Sequence, residues 1–149
     1  MSSFEDPLSS TVSALQREVM ATRVSMLRAL GCAIAQRDSG TAEHNCRVAW
    51  IASRIGEEMG LEGPRMQALI AGSFLHDVGK IGIPDAILLK PGSLEPGERS
   101  RMRGHVELGR EIVGCLDWLP GLRDVVCSHH ERWDGAGYPD RLAGAAIPL

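Results

Sequence analysis

Apolar residues in the first quarter of the chain recur with a helical period. Between Thr11 and about Arg37, Val12, Val19, Met26 and Ala33 stand seven apart, and Leu15, Thr22 and Ala29 follow the first three at a spacing of three. This pattern predicts a long amphipathic helix, and because Thr and Ala dilute its seam, it fits a bundle helix or a dimerising helix. Asp38-Ser39-Gly40 breaks the pattern, Thr41 suits the N-cap of a second helix, and His44, Val48, Ile51, Ile55 and Met59 share one face, which turns His44 inward. Gly60 to Gly63 ends that helix and Pro64 suits the first turn of a third, along which Met66, Leu69, Ile70 and Phe74 lead to His76-Asp77. Gly79, Gly82 and Pro84 prevent a long continuation, and a loop follows through Pro91-Gly92. Pro96 opens the next predicted helix, with an inner stripe of Met102, His105, Gly109, Ile112 and Leu116. A shorter helix from about Leu122 carries Val125 and Val126 and sets His129 and His130 near its end, before an irregular tail rich in turn residues. The expected class is all-α, a helical bundle with a loop-rich C-terminal end.

Composition narrows the options more than it adds to them. The chain has 149 residues, about one domain's worth, with 44% hydrophobic and 23% charged residues, close to globular averages. A net charge of −3 lacks the broad basic field of a general nucleic-acid binder, so no DNA partner is expected. No apolar run reaches the ~18–20 residues of a membrane span, and MSSFEDPLSS lacks the regions of a signal peptide, which leads to the expectation of a cytoplasmic protein away from the membrane. Cys32, Cys46, Cys115 and Cys127 show no C-x-x-C spacing and fall within helical patterns, where buried, reduced thiols are expected.

The histidines change the picture. All five of them, His44, His76, His105, His129 and His130, fall on predicted inward faces or at helix ends. A single one would be read as a core histidine bonded to a backbone carbonyl, but five imidazoles facing one core are costly unless a cation satisfies several together. Asp77 adds a carboxylate able to bridge two ions ~3.5–4 Å apart, which points to a binuclear centre. Imidazole and carboxylate without thiolate suit iron or manganese, with zinc possible. Lys80, one of only two lysines, lies one turn beyond Asp77 and is placed to meet a phosphate oxygen, or else to sit solvated at a helix end. With no G-x-S-x-G elbow and no glycine-rich phosphate loop, hydrolysis by a metal-activated water is the favoured chemistry.

These residues also carry a resemblance. His76-Asp77-Val78-Gly79-Lys80-Ile81-Gly82-Ile83-Pro84-Asp85, Leu88-Leu89-Lys90-Pro91-Gly92, His105, and the run from His129-His130-Glu131 through Trp133-Asp134-Gly135 to Gly137-Tyr138-Pro139 resemble the HD-GYP family. The resemblance implies a helical, metal-dependent phosphodiesterase that opens the bacterial second messenger cyclic di-GMP to the linear dinucleotide or to GMP. It makes His44, His76, Asp77, His105, His129 and His130 metal ligands, with Asp77 bridging, and sets Lys80 on the scissile phosphate. Two metals rather than three are implied, because Asp38-Ser39-Gly40 lacks the extra carboxylate that some members place before the residue matching His44. Gly137, Tyr138 and Pro139 would shape the substrate site or a surface for a signalling partner, and Glu131 and Asp134 would orient ligand histidines from behind. Residues 1–26 then form a helical lead-in and 27–149 the domain, expected to be C-terminally truncated because the family continues past the residues matching Ile147-Pro148-Leu149. The competing readings are a catalytically weak or inactive metal-binding and interaction module, and a phosphohydrolase of another nucleotide.

Overall fold

The structure is a computed structural model that describes residues 7–37 and 41–148. Among these residues the chain is helical. The order is α1 (Pro7–Ala35), α2 (Thr41–Glu58), α3 (Gly63–Leu75), a 3₁₀ turn (Val78–Gly82), α4 (Asp85–Leu88), α5 (Pro96–Arg103), α6 (His105–Val113), α7 (Leu122–Ser128) and a last 3₁₀ turn (Gly144–Ala146). The sole extended pairing among the described residues is an isolated bridge between Asp134 and Ala143. No helix among them is long and apolar enough to cross a membrane.

Local signals explain the boundaries. α2 stops in a Schellman turn, in which the Leu61 amide donates to the Gly56 carbonyl at 2.8 Å and that of Gly60 to Glu57 at 3.0 Å. Gly60 takes the left-handed φ of 71° that this turn requires. Pro96 opens α5, and the Glu98 carboxylate reaches back to the Glu95 amide at 2.8 Å while also accepting from Lys90 at 2.6 Å. α3 is the central element, packing on α2, α7 and the C-terminal half of α1, while α6 packs on the 3₁₀ turn at Val78–Gly82 and on α7. Ile34, Leu75, Val78, Val113, Leu122 and Val126 form the heart of the core.

Several sequence expectations are corrected here. On α1, the seam through Val12, Leu15, Val19 and Met26 is solvent-exposed, at 54, 60, 42 and 47%, and the helix instead packs through Leu27, Leu30 and Ile34. α2 is turned in the same sense. Its buried positions are Asn45, Ala49 and Gly56, while Ile51, Ile55 and Met59 face out and His44, though exposed, faces the cleft described below. The single helix expected after Pro96 divides at Gly104 into α5 and α6, and Leu116 lies past its end, though it is still buried. Thr41 is the first residue of α2, and the Asp38-Ser39-Gly40 breaker lies outside the described residues. Of the four cysteines, none of them bonded to another, only Cys127 is buried.

Candidate metal centre

Helix ends build the site. The last carbonyls of a helix have no partner within it, and His76 and His129, which cap α3 and α7, answer this by bonding Nδ1 to a carbonyl three residues back. His76 Nδ1 donates to Ser73 at 2.8 Å, His129 Nδ1 to Val126 at 2.8 Å, and His105 Nδ1, at the start of α6, to Met102 at 2.7 Å. A carbonyl can only accept, so each Nδ1 carries a proton, which leaves the Nε2 of a neutral ring with a lone pair. All three Nε2 atoms turn toward Asp77, which is buried just beyond the end of α3.

The two oxygens of Asp77 face different neighbours. Oδ1 lies 3.4 Å from His105 Nε2 and 4.0 Å from His129 Nε2, while Oδ2 lies 3.1 Å from His76 Nε2 and 3.0 Å from the Lys80 ammonium. Asp77 comes this close to α6 because Gly79 follows it. A Cβ on Gly79 would stand 1.8 Å from the His105 carbonyl oxygen and 2.4 Å from the Gly109 nitrogen, so no other residue fits that crossing without a shift.

The electrostatics separate these groups. Burial opposes ionisation of Asp77, but the hydrogen bond and charge of His76, with Lys80, outweigh it and hold the carboxyl well below the usual range. Burial also opposes protonation of His76, yet its contact with Asp77 and the Ser73 carbonyl push it up. His129 is pushed down to about 4 by burial, against its bond to Val126, with the neighbouring histidines adding to the fall. Burial lowers His105 and His130 as well. The Nε2 atoms of His105 and His129 therefore sit 3.3 Å apart as two lone pairs with no proton between them. That contact is repulsive unless a cation lies against both, and this donor set fits a divalent ion. Asp77, His105, His129 and His130 each offer a ligand atom within 4.8 Å of the others.

The remaining sequence-derived candidates fall on the same cavity or close to it. A cleft of about 740 Å³ is lined by His44, His76, Asp77, Lys80, His105, His129, His130 and Tyr138, with Val48, Leu88, Met102 and Val125 as apolar wall. His44 lies on the rim, its ring centroid 5.9 Å from that of His76. A smaller cleft beside it is lined by Arg103, His130, Arg132, Gly137 and Tyr138. Glu131 and Asp134 do not stand behind the histidines as expected. The Glu131 carboxylate accepts from the amides of Asp140 and Leu142, and Asp134 pairs with Arg132 and with the Ala136 amide. Backbone carbonyls take the orienting role instead, and only the three-residue offsets from His76, His105 and His129 could have signalled them. Arg103 was missed, since nothing in the sequence sets it apart from its arginine neighbours.

A helical domain that gathers histidines from four helices around a His-Asp pair at a helix end defines the class of metal-site domain to which this fold conforms. Residues 28–149 match the HD domain family, and the chain belongs to it. It is 44% identical over 116 residues, 76% of this chain and 31% of the relative, to a cyclic di-GMP phosphodiesterase of Thermotoga maritima. It is 38% identical over 138 residues, 91% of this chain and 36% of the relative, to the cyclic di-GMP phosphodiesterase response regulator RpfG of Xanthomonas campestris pv. campestris. A 3'3'-cGAMP-specific phosphodiesterase 2 of Vibrio cholerae is 37% identical over 137 residues, 91% of this chain and 26% of that protein. The chain thus spans between a quarter and little more than a third of the length of these relatives.

Proposed function

We propose that this domain is a binuclear metal-dependent phosphodiesterase that hydrolyses a cyclic dinucleotide, cyclic di-GMP in the first instance. The observation that carries this reading is Asp77, whose two oxygens face separate groups of donors, with His105 and His129 on one side and His76 on the other. His130 joins the first group, and His44, on the rim beside His76, completes the second. The phosphodiesterase names of the relatives supply the substrate class. When bound, two divalent transition ions, iron or manganese by preference and zinc by capacity, supply Lewis acidity at phosphorus and an activated water.

The chain's own residues do the rest. Asp77 stays ionised at neutral pH and the burial of His105 and His129 keeps their Nε2 lone pairs available. Lys80, half-buried on the cavity wall, brings a point charge to the non-bridging phosphate oxygens as negative charge builds there. Addition of water at phosphorus breaks one phosphodiester bond to give the linear dinucleotide, and a second cleavage gives mononucleotides. Val48, Leu88, Met102 and Val125 offer apolar surface to the bases in a cleft of a volume usual for ligand sites. Of the two roles for Gly137-Tyr138-Pro139, lining the substrate site is favoured over partner docking, because Tyr138 borders both clefts.

This reading takes the chain before residue 27, helical over its described residues 7–26, as a lead-in to a catalytic unit over 27–149, and assigns the exposed heptad face of α1 to pairing with a second copy. Exposed, unbonded Cys32, Cys46 and Cys115 accord with the reducing cytoplasm in which such a messenger would be met. The deciding experiment is turnover of cyclic di-GMP by protein purified without chelator and supplied with manganese or iron. Hydrolysis abolished by Asp77→Asn supports the proposal. Metal binding without turnover of cyclic di-GMP or of 3'3'-cGAMP would contradict it and favour an inactive metal-binding module.

A further inference from the structure

The inner histidines are not held alike. His76, His105 and His129 each have Nδ1 fixed by a backbone carbonyl, whereas neither ring nitrogen of His130 makes a hydrogen bond among the described residues. What His130 has is an aromatic face. The ring of Tyr138 stacks on it with centroids 4.5 Å apart and planes 19° from parallel, and the Arg103 guanidinium carbon lies 4.7 Å from the centroid of the same tyrosine ring. Offset stacking between such rings has a preferred separation and plane, so it restrains rotation about the bonds that aim the imidazole. A cation over the tyrosine ring adds to this restraint.

The loop that carries Tyr138 is built to hold this contact. The Tyr138 amide donates to the His130 carbonyl at 3.2 Å, which ties the two stacked residues through their backbones as well. Gly137 makes the approach possible, because a Cβ there would stand 2.5 Å from the Arg132 nitrogen and 2.6 Å from the Glu131 Cα. Beyond the loop, both oxygens of Glu131 accept backbone amides, from Asp140 at 2.8 Å and Leu142 at 3.1 Å, and Arg110 pairs with Asp140 at 2.7 Å. Glu131 therefore does steady the site, by pinning the tail that presents Tyr138.

We infer that Tyr138 is a positioning residue for the metal ligand His130, fixing by stacking the ring orientation that backbone carbonyls fix for its three neighbours. The inference rests on the metal-binding part of the reading above. Its consequence is specific: loss of the aromatic ring weakens the ion served by His130, while loss of the phenolic hydroxyl alone does not.

Cobalt(II) titration of the metal-depleted full chain, followed by its visible absorption, tests this without recourse to turnover. Tyr138→Leu, which keeps apolar bulk, is expected to weaken cobalt binding by ~10-fold or more, as loss of a ligand's outer partner does elsewhere, and to change the absorption envelope. Tyr138→Phe is expected to bind within ~3-fold of the parent. In a His130→Ala background, Tyr138→Leu is expected to have no further effect, since there is no ring left to aim. Parent-like affinity and spectrum for Tyr138→Leu, or an equal loss with and without His130, would overturn the inference. Failure of the parent itself to bind cobalt would instead overturn the metal reading beneath it.

Discussion

Asp77 and Lys80 form an ion pair at 3.0 Å on the cavity wall, and this contact sharpens what each substitution should do. Lys80→Ala removes the charge proposed to meet phosphate and leaves the imidazoles untouched, so turnover is expected to fall by ~10²-fold or more with metal content unchanged. Unchanged turnover in a steady-state assay would return Lys80 to a purely structural partner of Asp77. His105→Ala and His129→Ala should each lower metal content measured by elemental analysis while helical circular dichroism stays near that of the parent. The apolar core around Leu75, Leu122 and Val126 holds the helices, and neither histidine is part of it. Wholesale unfolding of both variants would mean that the centre is structural rather than catalytic.

Packing of elements onto one another depends on small residues, and there the sequence was least legible. Val, Leu, Ile and Met at helical spacing predict the α1 and α2 seams, yet the buried positions of α2 are Asn45, Ala49 and Gly56, with Gly56 against Met66 and Leu69 of α3, while Ile51, Ile55 and Met59 are left outside. A pattern of large apolar residues cannot distinguish the face that is buried from a second apolar face, and small residues score weakly although they permit the closest crossings. The site was more legible because histidines at helix ends announce themselves and Asp77 follows one directly. Its orienting groups were not, since they are main-chain carbonyls. Gly79 is where a crossing of elements and the site coincide. Gly79→Ala drives a methyl group into the backbone of α6, so urea denaturation should show a loss of ~1–3 kcal/mol, together with reduced metal retention as Asp77 is displaced from His105. Parent-like stability would show that the 3₁₀ turn at Val78–Gly82 is free to move away from α6.

For the whole molecule, the histidine cluster sets a pH dependence that metal should mask. In the metal-free chain, burial lowers His105 and His130 below their ordinary value of 6.5 and His129 to about 4, so the unfolded chain takes up protons first as pH falls. Stability from these groups is complete above about pH 6.5 and is lost on descent toward pH 4. His76, raised by Asp77, works in the opposite sense, since its contribution is present at low pH and is lost as pH rises through its folded value. Three lowered groups against one raised predict that the urea midpoint of chelator-treated protein falls between pH 7 and pH 4.5, and a midpoint that rises over that interval would contradict the burial argument. One carboxylate, Asp77, is proposed to join two metal positions in a single helical domain. The measurement that bears on it most directly is metal content per chain after anaerobic reconstitution with iron or manganese, compared between the parent and Asp77→Asn. About two ions per chain are expected in the parent and a marked loss in the variant. Content near zero or one in the parent, or two ions retained without the Asp77 carboxylate, would contradict it.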